Sequence, residues 1–403
     1  MTVCAVDTVP GNGGRAAPTG FAIAADGSYA ARLTVAEGGG GWIPERWTLD
    51  GPEPYAVPLP GPRPEGPGTQ VLPLPDGRVL ICRRAADRHH LALLYPSGPR
   101  TGELPLGSVE SERLTLLPPA PDGLSVHALS PGRSGGRGTA VWLVHGGSYG
   151  PEPVAEVPGR CSGGTWLDRE GRLLALDRTD ASGRTKAVVV DLERGEVSPL
   201  LQITDDSDDR LLLADPDSGL LLVRSDAPGE TRLGWGVLGS HRPVRFPEAL
   251  RPQGVALTPF AIQPGQALVP EGCAVALRVD GPNGTWVAVW RPTQRRLRHL
   301  AAPQGWLRGS GLWTVDGELR LPYSTDHTPC GLARIAVPAP EPEPLPRPRP
   351  EPVAEGAGAV PRGPSAAGEE SGSFTVFTLR SVARTPVPLQ QAPLARTAAE
   401  RRS

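Results

Sequence analysis

The chain has 403 residues, of which 51 are Gly and 49 are Pro. That quarter lies at the edge of the range where low complexity is suspected, and length alone predicts two or three ordinary domains unless one large β architecture takes most of it. A formal net charge of −2 argues against both a strongly basic nucleic-acid binder and an acidic solvating chain, and 5% aromatic residues leave the core to Leu, Val and Ala.

The N-terminus, from Met1 to Asp7, lacks a basic start and a long apolar run, so no signal peptide is expected there. No stretch approaches the ~18–20 apolar residues of a membrane-spanning helix. Cys4, Cys82, Cys161, Cys273 and Cys330 are odd in number and widely spread, with no C-x-x-C pair. Reduced, buried thiols in a cytoplasmic protein are the expectation, with no cofactor, metal site or disulfide framework. Forty Arg stand against one Lys, Lys186, which fits the codon usage of a GC-rich bacterial genome rather than phosphate recognition.

A repeat runs along the chain. Turn glycines at 27, 77, 123, 171, 219, 265 and 317 stand 46 to 52 residues apart. Several follow Asp, as in Asp26-Gly27, Asp76-Gly77, Asp122-Gly123 and Asp316-Gly317; Gly accepts positive φ and Asp caps its own turn, so each predicts a hairpin. Short apolar strands follow them: Arg78–Cys82, Leu124–Leu129, Arg172–Leu176 and Leu220–Val223. Third strands are predicted at Leu91–Tyr95, Ala140–Val144, Ala187–Asp191 and Trp286–Trp290, and fourth strands at Glu103–Leu106, Val154–Val157 and Val197–Leu201. Four strands in about 40–50 residues is the dimension of one propeller blade. The expected fold is therefore all-β: a seven-bladed β-propeller of four-stranded antiparallel blades over residues 1–337. Runs such as Ala187 to Val190, apolar at successive positions, must be buried on both sheet faces, and stacking blades provides this. The seventh unit lacks an obvious fourth strand after Ile335. Thr2–Val6 could close the ring there, with Phe374–Leu379 as the rival.

Blade four, Thr165-Trp-Leu-Asp-Arg-Glu-Gly-Arg-Leu-Leu-Ala-Leu176 followed by Lys186-Ala-Val-Val-Val-Asp-Leu-Glu-Arg-Gly-Glu196, resembles the blades of TolB-like propellers and of the N-terminal propeller of prolyl-oligopeptidase-type proteins. The likeness covers residues 15 to 337 and implies a fold, without a hydrolase domain. Function does not follow from it. WD40 propellers are not resembled, because the paired G-H and W-D dipeptides are missing.

Four segments suggest chemistry. Gly146-Gly-Ser148-Tyr-Gly150 fits the G-x-S-x-G nucleophile elbow, with Asp326 and His327 as conceivable partners of Ser148. A short strand follows it rather than a helix, so a hairpin loop is expected. Thr204-Asp-Asp-Ser-Asp-Asp-Arg210 could offer oxygens to calcium, but it lacks EF-hand order and reads as a solvated linker. Ser225 to Thr231 is a broken relative of the Asp-box of sialidase-like propellers. Gln294-Arg-Arg-Leu-Arg-His299 could meet phosphate, although charges on an outer strand commonly protect a sheet edge. The seven histidines show no ligand spacing, and Trp166 and Trp313 are expected in the core between blades. No catalytic, cofactor-binding or metal-ligating residue is therefore assigned.

Beyond Ile335, prolines from Pro338 to Pro350 alternate with other residues, predicting a stiff spacer. Residues 338–372 read as a disordered Pro/Ala/Gly-rich linker and 373–403 as a basic segment with one possible strand, able to complete the propeller or recruit a partner. Residues 1–337 still hold 46 Gly and 36 Pro, so most of the opening excess is turn chemistry. The functional expectation is a non-catalytic, monomeric cytoplasmic scaffold binding a protein or peptide, with no nucleic acid and no membrane. The alternatives are a hydrolase or a sensor of a small metabolite in the central channel.

Overall fold

A computed structural model describes residues 20–36, 41–66, 68–132, 138–265 and 269–337. These form seven antiparallel sheets in which neighbouring strands follow chain order. Blade 1 holds β1 (Ala22–Ile23), β2 (Tyr29–Val35), β3 (Trp42–Thr48) and β4 (Tyr55–Pro58). Blade 2 holds β5 (Gln70–Pro73), β6 (Val79–Ala85), β7 (Arg88–Ser97) and β8 (Arg100–Glu110). Blade 3 holds β9 (Thr115–Leu116), β10 (Val126–Pro131), β11 (Gly138–His145) and β12 (Glu152–Pro158). Blade 4 holds β13 (Arg160–Trp166), β14 (Leu173–Thr179), β15 (Thr185–Asp191) and β16 (Glu196–Leu201). Blade 5 holds β17 (Asp209–Ala214), β18 (Leu220–Ser225) and β19 (Arg232–Val237). Blade 6 holds β20 (Ala256–Ile262), β21 (Val275–Gly281), β22 (Gly284–Trp290) and β23 (Arg298–Leu300). Blade 7 holds β24 (Leu312–Trp313), β25 (Glu318–Tyr323) and β26 (Gly331–Ala336). The described helices are two single 3-10 turns, Glu248–Leu250 and Pro270–Gly272.

The first strands of neighbouring blades approach one another in five pairs, which makes them the inner ring. Blades 5 and 7 have three strands each. In blade 5 a single bridge pair, Trp235 with Arg245, stands where a fourth strand would pair. Blade 7 ends at β26. Both expected closing segments, Thr2–Val6 and Phe374–Leu379, lie outside the described residues, as do the linker 338–372 and the segment 373–403.

The core lies between blades. Seven apolar clusters occupy the seven interfaces, one each. Strand alternation feeds two of them at once: in β15, Ala187 and Val189 face blade 5 while Val188 and Val190 face blade 3. At ~25 cal/mol per Å2 of apolar surface, this two-sided burial holds the array together. The seventh cluster brings Phe21, Ile23, Ala30, Trp47 and Leu49 of blade 1 against Leu312 of blade 7. The Ser310 hydroxyl donates to the Phe21 carbonyl across the same junction at 3.3 Å. Among the described residues, side chains close the ring here.

The turn glycines behave as the repeat predicts in six blades, with φ from +68° to +82° at Gly27, Gly77, Gly123, Gly171, Gly219 and Gly317. Asp supplies the cap: the Asp76 carboxylate accepts the Arg78 N–H at 2.9 Å, and Asp122 accepts that of Leu124 at 2.9 Å. Blade 6 differs. Gly265 makes no tight turn, because the chain passes through the Pro270–Gly272 helix before β21 begins. Trp166 and Trp313 are buried between blades, as expected.

Candidate functional site

A cavity of about 1420 Å3 opens between blades 1 and 2. One wall is the connection from β4 to β5, residues 62–66 with Gly68 and Thr69. The floor is the part of blade 2 that blade 1 leaves uncovered. On that face Ile81 and Ala92 belong to the dry cluster between the blades, while Arg83 and His90, paired across β6 and β7, begin the groove. Pro62, Pro64, Ala85 and Pro105 give it an apolar lining.

Arg83 fixes the wall to the floor. Its guanidinium meets Glu65 at 2.9 Å and Glu103 at 2.6 Å. Burial alone would lower its pKa; the bonds to the two carboxylates outweigh burial and raise it. Glu65 is buried, and its N–H donates to the Trp42 carbonyl at 2.8 Å. Arg63 and Arg84 also line the groove, and neither has an acidic partner among the described residues; Arg84 bonds only to the Ala86 carbonyl, at 3.3 Å. The groove therefore combines apolar walls with two cations that no described carboxylate pairs. Ala86, at its edge, has φ +55°, the one positive value at a non-glycine among the described residues. Such strain persists only where the surroundings hold it, and it clusters at binding sites.

The sequence candidates fall elsewhere. Ser148 lies in the exposed turn between β11 and β12, where Gly146 and Gly150 have φ of +98° and +82°. The G-x-S-x-G segment is a hairpin loop, as expected, and no strand-to-helix elbow. His327 lies in the second turn of blade 7, whereas Ser148 lies in the third turn of blade 3. Successive turns of a meander alternate between rims, so the two residues sit on opposite rims.

The acidic run is not a simple solvated loop. Asp205 and Asp206 are exposed, but Asp209 is fully buried and pairs with Lys186 at 2.8 Å. The carbonyls of Thr204 and Ser207 also accept from Lys186 Nζ. Asp209 further accepts the Ile203 N–H and the hydroxyls of Ser207 and Ser225. Of the four aspartates that suggested calcium, Asp209 thus meets the Lys186 ammonium, together with two carbonyls of the same run. The Asp-box-like segment supplies Ser225 to this network and turns at Gly229 between β18 and β19.

His127 is buried edge-on to Trp166, with ring centroids 5.2 Å apart, and burial pushes its pKa down to about 4. It is a neutral core histidine. Burial also pushes the thiols up, to about 12 at Cys82 and Cys330 and about 11 at Cys161. All four described cysteines are free. The groove residues Glu65, Arg83 and Glu103 were missed from sequence. The one hint is the dense Pro60-Gly-Pro-Arg-Pro-Glu-Gly-Pro-Gly68 run.

No protein-family model matches this chain, and no curated protein matches it. Solved structures do. Puromycin hydrolase is 17% identical, with a TM-score of 0.53 over 79% of this chain and 52% of that one. A prolyl endopeptidase from a study of inter-domain dynamics is 13% identical, with a TM-score of 0.49 over 79% of this chain and 47% of that one. TolB from Acinetobacter baumannii is 13% identical, with a TM-score of 0.38 over 76% of this chain and 79% of that one. The puromycin hydrolase match carries the propeller fold alone. The chain spans about half the length of that hydrolase and of the endopeptidase.

Proposed function

We propose that the chain is a non-catalytic recognition propeller that binds an extended peptide bearing an acidic residue in the groove between blades 1 and 2. The observation that carries this reading is the groove's lining: prolines and alanines, with Arg63 and Arg84 lacking carboxylate partners among the described residues. Proline and small apolar walls suit an extended backbone, and charge complementarity fixes register and rejects wrong partners. The hydrolase alternative would need Ser148 to act from an exposed hairpin loop, with His327 on the other rim.

Selection of displayed peptides on the immobilised full chain, followed by anisotropy titration, tests the proposal. Selected peptides should carry Asp or Glu and bind at least about tenfold more weakly to Ala85→Trp, which fills the groove, and to Arg84→Glu, since losing one such contact costs about 1.4 kcal/mol or more. Equal binding to wild type and both variants, or specific labelling of Ser148 by a fluorophosphonate probe, would sink it.

A further inference from the structure

The third turn of blade 6 holds an arginine whose charge is unmet. Arg291 follows β22 and is only 5% exposed. Its turn is rigidly built. The Gln294 N–H donates to the Arg291 carbonyl at 2.8 Å, the Trp290 indole N–H donates to the Gln294 carbonyl at 3.1 Å, and the Thr293 N–H donates to the Glu271 carbonyl at 3.2 Å. No hydrogen bond or ion pair reaches the guanidinium from any described residue. The residue keeps a small exposed surface, from which an ion would approach.

The cation is also beside another cation. Val289 is the register partner of Arg298, and Arg291 lies two residues beyond Val289. Continued one residue past the end of β22, the alternation of the strand would put Arg291 on the side of Arg298. Burial first, and then the charge of Arg298, lower the pKa of Arg291. Arg295, Arg296 and Arg298 are exposed, and none has an ion-pair partner among the described residues. The carboxylates around the neighbouring Cys273 thiol are engaged elsewhere, Asp217 with Arg169 and Asp215 with Ser218, and Glu271 lies 3.9 Å from Arg242.

A guanidinium does not escape burial by losing its proton. An unpaired buried charge is strongly unfavourable, and like charges placed close together add to the cost. An anion from solution resolves both. We propose that Arg291 and Arg298 form a binding site on blade 6 for an oxyanion, the phosphate or carboxylate group of a small ligand. Arg291 is the buried anchor, making charge-assisted hydrogen bonds. Arg298 closes over the ion from solvent, and Arg295 and Arg296 contribute only a screened field. The site is separate from the blade-2 groove and stands or falls independently of it.

Calorimetry and thermal melting of the full chain test the proposal, with sodium phosphate and sodium acetate as probes and sodium chloride at matched ionic strength as control. Wild type should show saturable binding in the millimolar range or tighter, with a rise in Tm beyond that in chloride. Binding should vanish in Arg291→Gln, weaken about tenfold or more in Arg298→Gln, and persist in the Arg295→Gln/Arg296→Gln double variant. Without anion, Arg291→Gln should melt higher than wild type. Response to phosphate alone assigns a phosphate group, and equal response to acetate assigns a carboxylate. Should Arg291→Gln fail to fold, Arg298→Gln decides. A rise no larger than that in chloride, or an unchanged affinity in Arg298→Gln, overturns the site.

Discussion

Lys186 shows how a single side chain can invert the meaning of its surroundings. A run with four aspartates beside a serine offers oxygens, and the one aspartate of the run that is fully buried, Asp209, faces an ammonium. The pair joins β15 of blade 4 to the start of β17 of blade 5, next to the contact between the Asp177 carboxylate and the Leu211 N–H at 3.0 Å. Since Asp209 has no exposed surface, its charge depends on Lys186 for compensation. Replacing a buried ion pair by two neutral groups is far milder than removing one partner, which costs about 3–5 kcal/mol. Lys186→Met should therefore lower stability to urea at pH 7 by about 3–5 kcal/mol. Adding Asp209→Asn, which keeps an acceptor for Ser225, should recover about half of the loss. A Lys186→Met variant as stable as wild type would show that hydroxyls and backbone groups alone hold Asp209.

At the scale of elements, the same backbone rule is obeyed at Gly77 and strained at Ala86, both in blade 2. Gly77 has φ +82°, and an added Cβ would lie 3.1 Å from the Tyr29 ring of blade 1. Gly77→Ala meets both the left-handed penalty and that contact, so a loss of about 2 kcal/mol is expected in thermal melts. Ala86 sits in the two-residue turn between β6 and β7 at φ +55°. Ala86→Gly relieves strain of about 1 kcal/mol while adding chain entropy to the unfolded state, for a net gain of about 0.5 kcal/mol. Effects of the same sign would refute this account. These turns also explain what was legible in sequence. Asp-Gly pairs declare a turn through local chemistry, and continuous apolar strands declare burial on both faces. Gly265 carried the periodic signal without the conformation, because a longer loop replaced the hairpin. The groove was illegible for another reason: Glu65, Arg83 and Glu103 meet only when the β4–β5 connection folds back on blade 2, and spacing does not encode that approach. Arg291 was hidden likewise, since its want of a partner is a property of packing.

At the scale of the molecule, the repeat predicts seven equal interfaces, and the one between blades 7 and 1 is the exception worth testing. Six interfaces join consecutive segments of chain. The seventh brings together residues nearly three hundred positions apart, so it bears the largest loop-closure cost. Among the described residues it has no strand from one terminus paired into the other terminal blade, and the contacts that close it include Leu312, packed over Gly27, with Phe21 and Trp47, and the Ser310–Phe21 hydrogen bond. In a quasi-one-dimensional array stability is a sum of blades and nearest-neighbour interfaces, so weakening one interface of a closed ring frees the two blades beside it before the rest. Leu312→Ala should cost about 2–4 kcal/mol, less if the site collapses onto Gly27. Hydrogen exchange followed by peptide mapping should rise first in β1–β3 and β24–β26, with β14 and β15 of blade 4 least affected. Uniform acceleration across all seven sheets would mean that the ring opens only as a whole, and that the junction between blades 7 and 1 is no weaker than its neighbours.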